Sequence, residues 1–133
     1  MTPSIRIVGI DPGYGRVGYG IIDCVPGGDS RMVTYGCIET PAKTRLFDRL
    51  TIIHTEIARL IDKYAPTHAA VEELFFFNNA KTAIDVGQAR GVIVLTLHQH
   101  KLSIDELTPL QVKQAVTGMG RAQKDQVEKM VRL

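Results

Sequence analysis

Cysteine is scarce in this 133-residue chain, with only Cys24 and Cys37. They fall on consecutive predicted strands joined by a turn at 26–29. A hairpin there sets Cys24 opposite about position 32 rather than 37. A disulfide scaffold is therefore not expected, and a buried free thiol is the ordinary reading. Long apolar runs are absent: none approaches the roughly 20 residues of a membrane span. The short N-terminus turns at once into a strand, which argues against a signal peptide. These absences point to a cytoplasmic protein with no membrane partner. The sequence also has no internal repeat, no linker and no low-complexity segment, and its length suits one domain with one core.

What is present is enough apolar material for that core, 44% of residues, and an ordinary 23% of charged ones. The net charge is only +2, but it is uneven. Residues 1–110 hold 11 Lys+Arg against 12 Asp+Glu, whereas 111–133 hold five basic residues against Asp125 and Glu128. Such a tail can face a polyanion, or it can be the solvated face of a helix.

Residues 5–10 read as a buried strand. Residues 17–24 and 32–39 read as two more, joined as a hairpin by the Pro-Gly-Gly turn. Leu46, Leu50, Ile53, Ile57, Leu60, Ile61 and Tyr64 then recur at three- and four-residue steps, with Arg49, Glu56, Arg59 and Lys63 on the other face. This is an amphipathic helix closed by Pro66. A strand follows from His68 to about Leu74, a helix opened by Asn78–Asn79 runs to about His98, and "LSIDEL" is a fifth strand. Pro109, capped by Thr108, starts another helix, which Gly118 and Gly120 break, and a last helix begins near Ala122. Three strands followed by crossovers predict an α/β fold, a mixed sheet with helices on its faces.

In "IVGIDPGYGRVGYGII" the carboxylate Asp11 ends the first strand. Gly13 and Gly15 let the backbone turn and approach a ligand. The C-terminal end of a strand in an open α/β sheet is the usual ligand position; an Asp there can also simply bond its own turn. "HAAVEELF" then places Glu72 and Glu73 inside a strand that should be buried. Adjacent strand residues face opposite sides, and a charge there is costly unless it is paired or holds a metal. If the two strands are neighbours, Asp11 and one Glu meet at the same end of the sheet. A hard cation such as Mg²⁺ relieves their repulsion, and two such ions suit phosphodiester hydrolysis.

"GIDPGYGRVGYGII", "AVEELFFFNNAKTAIDVGQARGV" and "TPLQVKQAVTGMGRAQKDQVEKMV" together resemble the RuvC family of Holliday-junction resolvases, in order and spacing over nearly the whole chain. The resemblance implies a ribonuclease-H-like, five-stranded mixed sheet, a three-strand meander and then crossovers, in a single nuclease domain over 1–133. It implies a homodimeric endonuclease that cleaves four-way junction DNA symmetrically in recombination and repair. It implies Mg²⁺ as the ion, with Mn²⁺ able to substitute, and two ions in the complete site. The ends can be sealed by ligase, and the partner is the RuvAB branch-migration complex. Asp11 matches the first catalytic carboxylate and metal ligand, and Glu72 the second. Two more acidic residues belong on a later helix in a pattern like Asp-x-x-Asp-Ala. No such motif precedes Leu133, so the domain is expected to be C-terminally incomplete.

The resemblance also implies DNA contacts. An aromatic at Phe75 stacks on bases near the branch point, a task Phe76 or Phe77 can share. The alternative is two core rings and one exposed. Lys113 and Lys124 match positions near the scissile phosphate, with Arg121 between them and Lys81 a further candidate. Ala83, Gly87 and Gly91 form a small-residue ridge that can pack on the sheet or on a partner helix, and the family dimerises partly there. The histidines carry little information: His98 and His100 read as a solvated pair. Two other readings stand beside the junction nuclease. A kinase or ATPase of the actin and sugar-kinase type shares the opening turn but usually needs two such domains. A branched-DNA-binding relative or fragment would lack cleavage.

Overall fold

The computed structural model describes residues 4–13, 15–25, 28–73 and 79–108. In chain order these form β1 (Ile5–Asp11), β2 (Arg16–Cys24), β3 (Ser30–Glu39), α1 (Leu46–Tyr64), β4 (His68–Glu72), α2 (Ala80–Gln99) and β5 (Ser103–Leu107). The sheet order is β3-β2-β1-β4-β5. The first three strands are an antiparallel meander, and β4 and β5 run parallel to β1. The mixed five-stranded sheet with crossovers is thus the one expected. The helices anticipated from Pro109 onward and near Ala122 lie outside the described residues.

Local chemistry sets the boundaries. α1 ends where Ala65 turns left-handed (φ 51°) and donates its N–H to the Ile61 carbonyl at 2.8 Å, just before Pro66. α2 begins at Asn79, whose side chain accepts from the N–H groups of Lys81 (2.9 Å) and Thr82 (3.3 Å). The hairpin is tighter than expected: Cys24 pairs with Ser30, and a bulge lies at Ile21/Ile22. Cys37 pairs with Gly18, so no disulfide forms, but the thiols are not buried. Cys24 is half-buried and Cys37 exposed. Both fall on the sheet face opposite the described helices, which is why the buried-thiol reading fails.

Strand alternation sorts the residues onto two faces. Val8 and Ile10, their partners Ala69 and Val71, and Val17, Ile21 and Ile38 are buried on one of them. Ile53, Ile57 and Ile61 of α1 and Ala89, Ile93 and Leu97 of α2 join them in one core. The described helices therefore cover the same face. No described helix is long and apolar enough to cross a membrane. The helix pattern erred at one place: Arg49, assigned to the solvated side, is buried beside Gly15.

Candidate functional site

Asp11 and Glu72 fall on the other face, with Gly9 and Ala70. The β1–β4 register runs to Ile10↔Val71, and one further step sets Asp11 beside Glu72 at the C-terminal ends of two parallel strands. Asp11 is exposed and Glu72 half-buried. On its other side Asp11 pairs with Gly18, where an added Cβ would stand 3.7 Å from the Asp11 Cβ. Glycine there leaves the carboxylate room. The turn beyond β1 is tight in its own right: a Cβ on Gly13 would lie 2.5 Å from the Arg16 carbonyl oxygen, and Gly15 has φ +78°. This turn is tied to the end of β3, since Thr40 donates its N–H to the Gly15 carbonyl at 3.0 Å.

The two carboxylates are electrostatically one unit. Burial, then the charge of Asp11, then a hydrogen bond with Asp11 push the Glu72 carboxyl from 4.5 up to about 7. The Glu72 carboxyl therefore keeps its proton to near neutrality beside Asp11. Carboxylate oxygens are the donors a hard divalent cation takes, and the cation would displace that proton. The residues present thus fit a divalent metal. Among the described residues no group of three or more His, Cys, Asp or Glu side chains is placed to hold one.

Of the remaining sequence candidates, Lys81 is exposed in the first turn of α2. Phe75, Phe76, Lys113, Arg121 and Lys124 lie outside the described residues. On α2, Gly91 is exposed and an added Cβ there would meet no atom of the described residues within 4 Å. Ile84 and Leu95, on the same stripe, are 60% and 54% exposed. His54 and Thr96 are bonded at 2.8 Å between the helices, and His100 bonds the Thr96 carbonyl.

Sequence reasoning missed Arg90. Its Nε donates to the Glu72 backbone carbonyl at 3.2 Å, and its Nη2 donates to Glu106 Oε1 on β5 at 2.9 Å. The signal was available: Arg90 follows buried Ala89 on a helix whose neighbouring turns hold Val86 and Ile93.

Residues 7–133 match the family described as crossover junction endodeoxyribonuclease RuvC. The protein of that name from Halothermothrix orenii is 56% identical over 126 residues, covering 95% of this chain and 76% of the relative. The one from Caldicellulosiruptor saccharolyticus is 51% identical over 128 residues, covering 96% and 77%. Thermus thermophilus RuvC, solved in complex with a Holliday junction substrate, superposes with a TM-score of 0.86 at 30% identity, covering 96% of this chain and 78% of that one. The yeast mitochondrial Holliday junction resolvase Ydc2 shares the fold, with a TM-score of 0.71 at 11% identity. With a ribonuclease-H-like sheet that carries Asp11 and Glu72 side by side, this chain belongs to the RuvC family of crossover junction endodeoxyribonucleases.

Proposed function

We propose that this protein resolves Holliday junctions by metal-dependent hydrolysis of two symmetry-related phosphodiesters. The observation that carries the reading is the Asp11–Glu72 pair on neighbouring strand ends, in a chain of this family. Asp11 and Glu72 would hold Mg²⁺, or Mn²⁺ in its place, in a site completed by two ions. Such ions supply activated water and stabilise the leaving oxygen. The chain's own residues orient the substrate. The Asp11–Gly15 turn is built tightly enough for close backbone approach. Lys81, Lys113, Arg121 and Lys124 bind phosphates, and Phe75 with Phe76 stacks on bases opened at the branch point. Residues 1–133 act as one nuclease domain.

The exposed Ile84–Leu95 stripe on α2 supports a homodimer. Gly91 lies in it with open space above and lets a second backbone approach. A two-fold axis suits a four-armed substrate. RuvAB is the expected partner that delivers the junction, in the cytoplasm.

The test is Asp11→Asn in the full-length protein, on a synthetic four-way junction with Mg²⁺. It removes a charge but little shape. Cleavage should fall at least about 100-fold, since a metal ligand contributes several kcal/mol. Junction binding should change little. Cleavage at the parental rate would refute the assignment.

A further inference from the structure

We propose that Arg90 is a positioning residue for the Asp11–Glu72 pair: its Nε–H replaces a ladder donor that Pro12 cannot supply and so fixes the end of β4 beneath the site. The inference rests on the reading of Glu72 as a site carboxylate.

In a parallel ladder a residue accepts from the N–H one position beyond its partner. Glu73 donates its N–H to the Leu107 carbonyl at 2.7 Å, on the β5 side. No described peptide bond is cis. The Glu72 carbonyl shares that peptide with the Glu73 N–H, so it points the opposite way, toward β1. Its partner by register is Asp11, and the next residue is Pro12, which has no N–H. The β1–β4 ladder therefore stops one bond short, at the residue that carries the second carboxylate. The same proline that ends β1 and starts the site turn creates the gap.

Arg90 fills it from the covered face. Its Nε lies 3.2 Å from the Glu72 carbonyl oxygen, and its Nη2 lies 2.9 Å from Glu106 Oε1. The Arg90 side chain is only 17% exposed. Two donors on one planar edge serve two acceptors in a fixed geometry, which the rotatable donors of a lysine do not impose. Glu106 on β5 holds the guanidinium in place, and the guanidinium holds the Glu72 peptide. Without that tie the end of β4 is free to shift at Glu72, and a shift of its Cα carries the carboxylate away from Asp11. Arg90 itself points to the face opposite the carboxylates and acts only through the backbone.

Arg90→Met keeps the stem and removes both donors. In the full-length protein it should lower kcat about tenfold to 100-fold, as roughly 1 Å of misplacement does, with KM and junction affinity nearly unchanged. Arg90→Lys should recover part of the loss. Pro12→Ala in the Arg90→Met background restores an N–H at position 12 and should also recover part. In the metal-free protein, the ¹³C resonance of the Glu72 carboxyl should move in Arg90→Met and move back in the double variant. Glu72→Gln separates the two readings. If Glu72→Gln cleaves normally, the site assignment itself fails. If it is inactive while Arg90→Met cleaves normally with an unmoved Glu72 signal, the positioning role is overturned. A loss that neither Arg90→Lys nor Pro12→Ala relieves overturns it too, in favour of general packing. Should Arg90→Met not fold, Glu106→Gln loosens the guanidinium more gently, and a parental kcat there would be equally fatal.

Discussion

Glu72 ties the chemistry of the site to the stability of the fold. Its carboxyl is pushed from 4.5 up to about 7 by burial and by Asp11. As pH rises through that window, the unfolded chain gives up this proton before the folded one does. The folded state then holds the extra proton, and stability falls with rising pH. The Tm of the metal-free protein should therefore decline between pH 4.5 and about 7, and Glu72→Gln should flatten the decline. A decline of equal size in the variant would assign it to other groups. Asp23 works with the opposite sign. The Arg6 guanidinium, bonded to it at 2.8 Å, holds its carboxyl below 3.8. The stability from that pair is present at neutral pH and lost as pH falls through the lowered value.

At the scale of elements, the meander depends on one absent side chain. Tyr19 of β2 lies across Gly36 of β3, its register partner. A Cβ on Gly36 would stand 2.5 Å from the Tyr19 hydroxyl oxygen and 2.8 Å from its ring carbon Cζ. Gly36 thus lets an aromatic ring close the core at the edge strand. Gly36→Val should cost about 1–3 kcal/mol, as overpacking does, read by urea unfolding. Gly36→Val with Tyr19→Leu should recover part of it, because the obstructing ring is gone. An undiminished loss in the double variant would place the defect in the strand rather than in the contact. The site lies at the opposite edge of this hairpin, across Gly18, so junction binding should survive both changes.

For the whole molecule, the proposed homodimer rests on the outer stripe of α2. The helix buries Val86, Ala89, Ile93 and Leu97 in its own core and leaves Ile84 and Leu95 to solvent. Ile84→Glu puts a charge on this stripe and touches none of the buried residues. If the proposed homodimer uses this stripe, sedimentation should show it dissociating at least about tenfold more readily, a loss of about 1.4 kcal/mol, with the circular dichroism spectrum unchanged. A dimer of parental strength would move the interface elsewhere. Because α2 also carries Arg90, one helix would link the pairing of subunits on its outer face to the end of β4 on its inner one.

Much of this was legible in the residues themselves. Period-two runs, the Leu46–Tyr64 stripe and the Asn79 cap fix the elements, because each depends on contacts a few residues apart. The carboxylates at a strand end and inside a strand marked the candidate site for the same reason: a charge in a buried strand needs a local justification. The sequence could not decide which strands are neighbours. The β3-β2-β1-β4-β5 order, which sets Asp11 against Glu72 across 61 positions of chain, is a matter of packing between distant segments. That order raised the Glu72 proton affinity, put the thiols on the face opposite the described helices and drew Arg49 into the interior. It also gave Arg90 its place. The missing N–H of Pro12 is written in the sequence, but which carbonyl lacks a donor, and which helix reaches it, depends on a register that only the folded sheet creates.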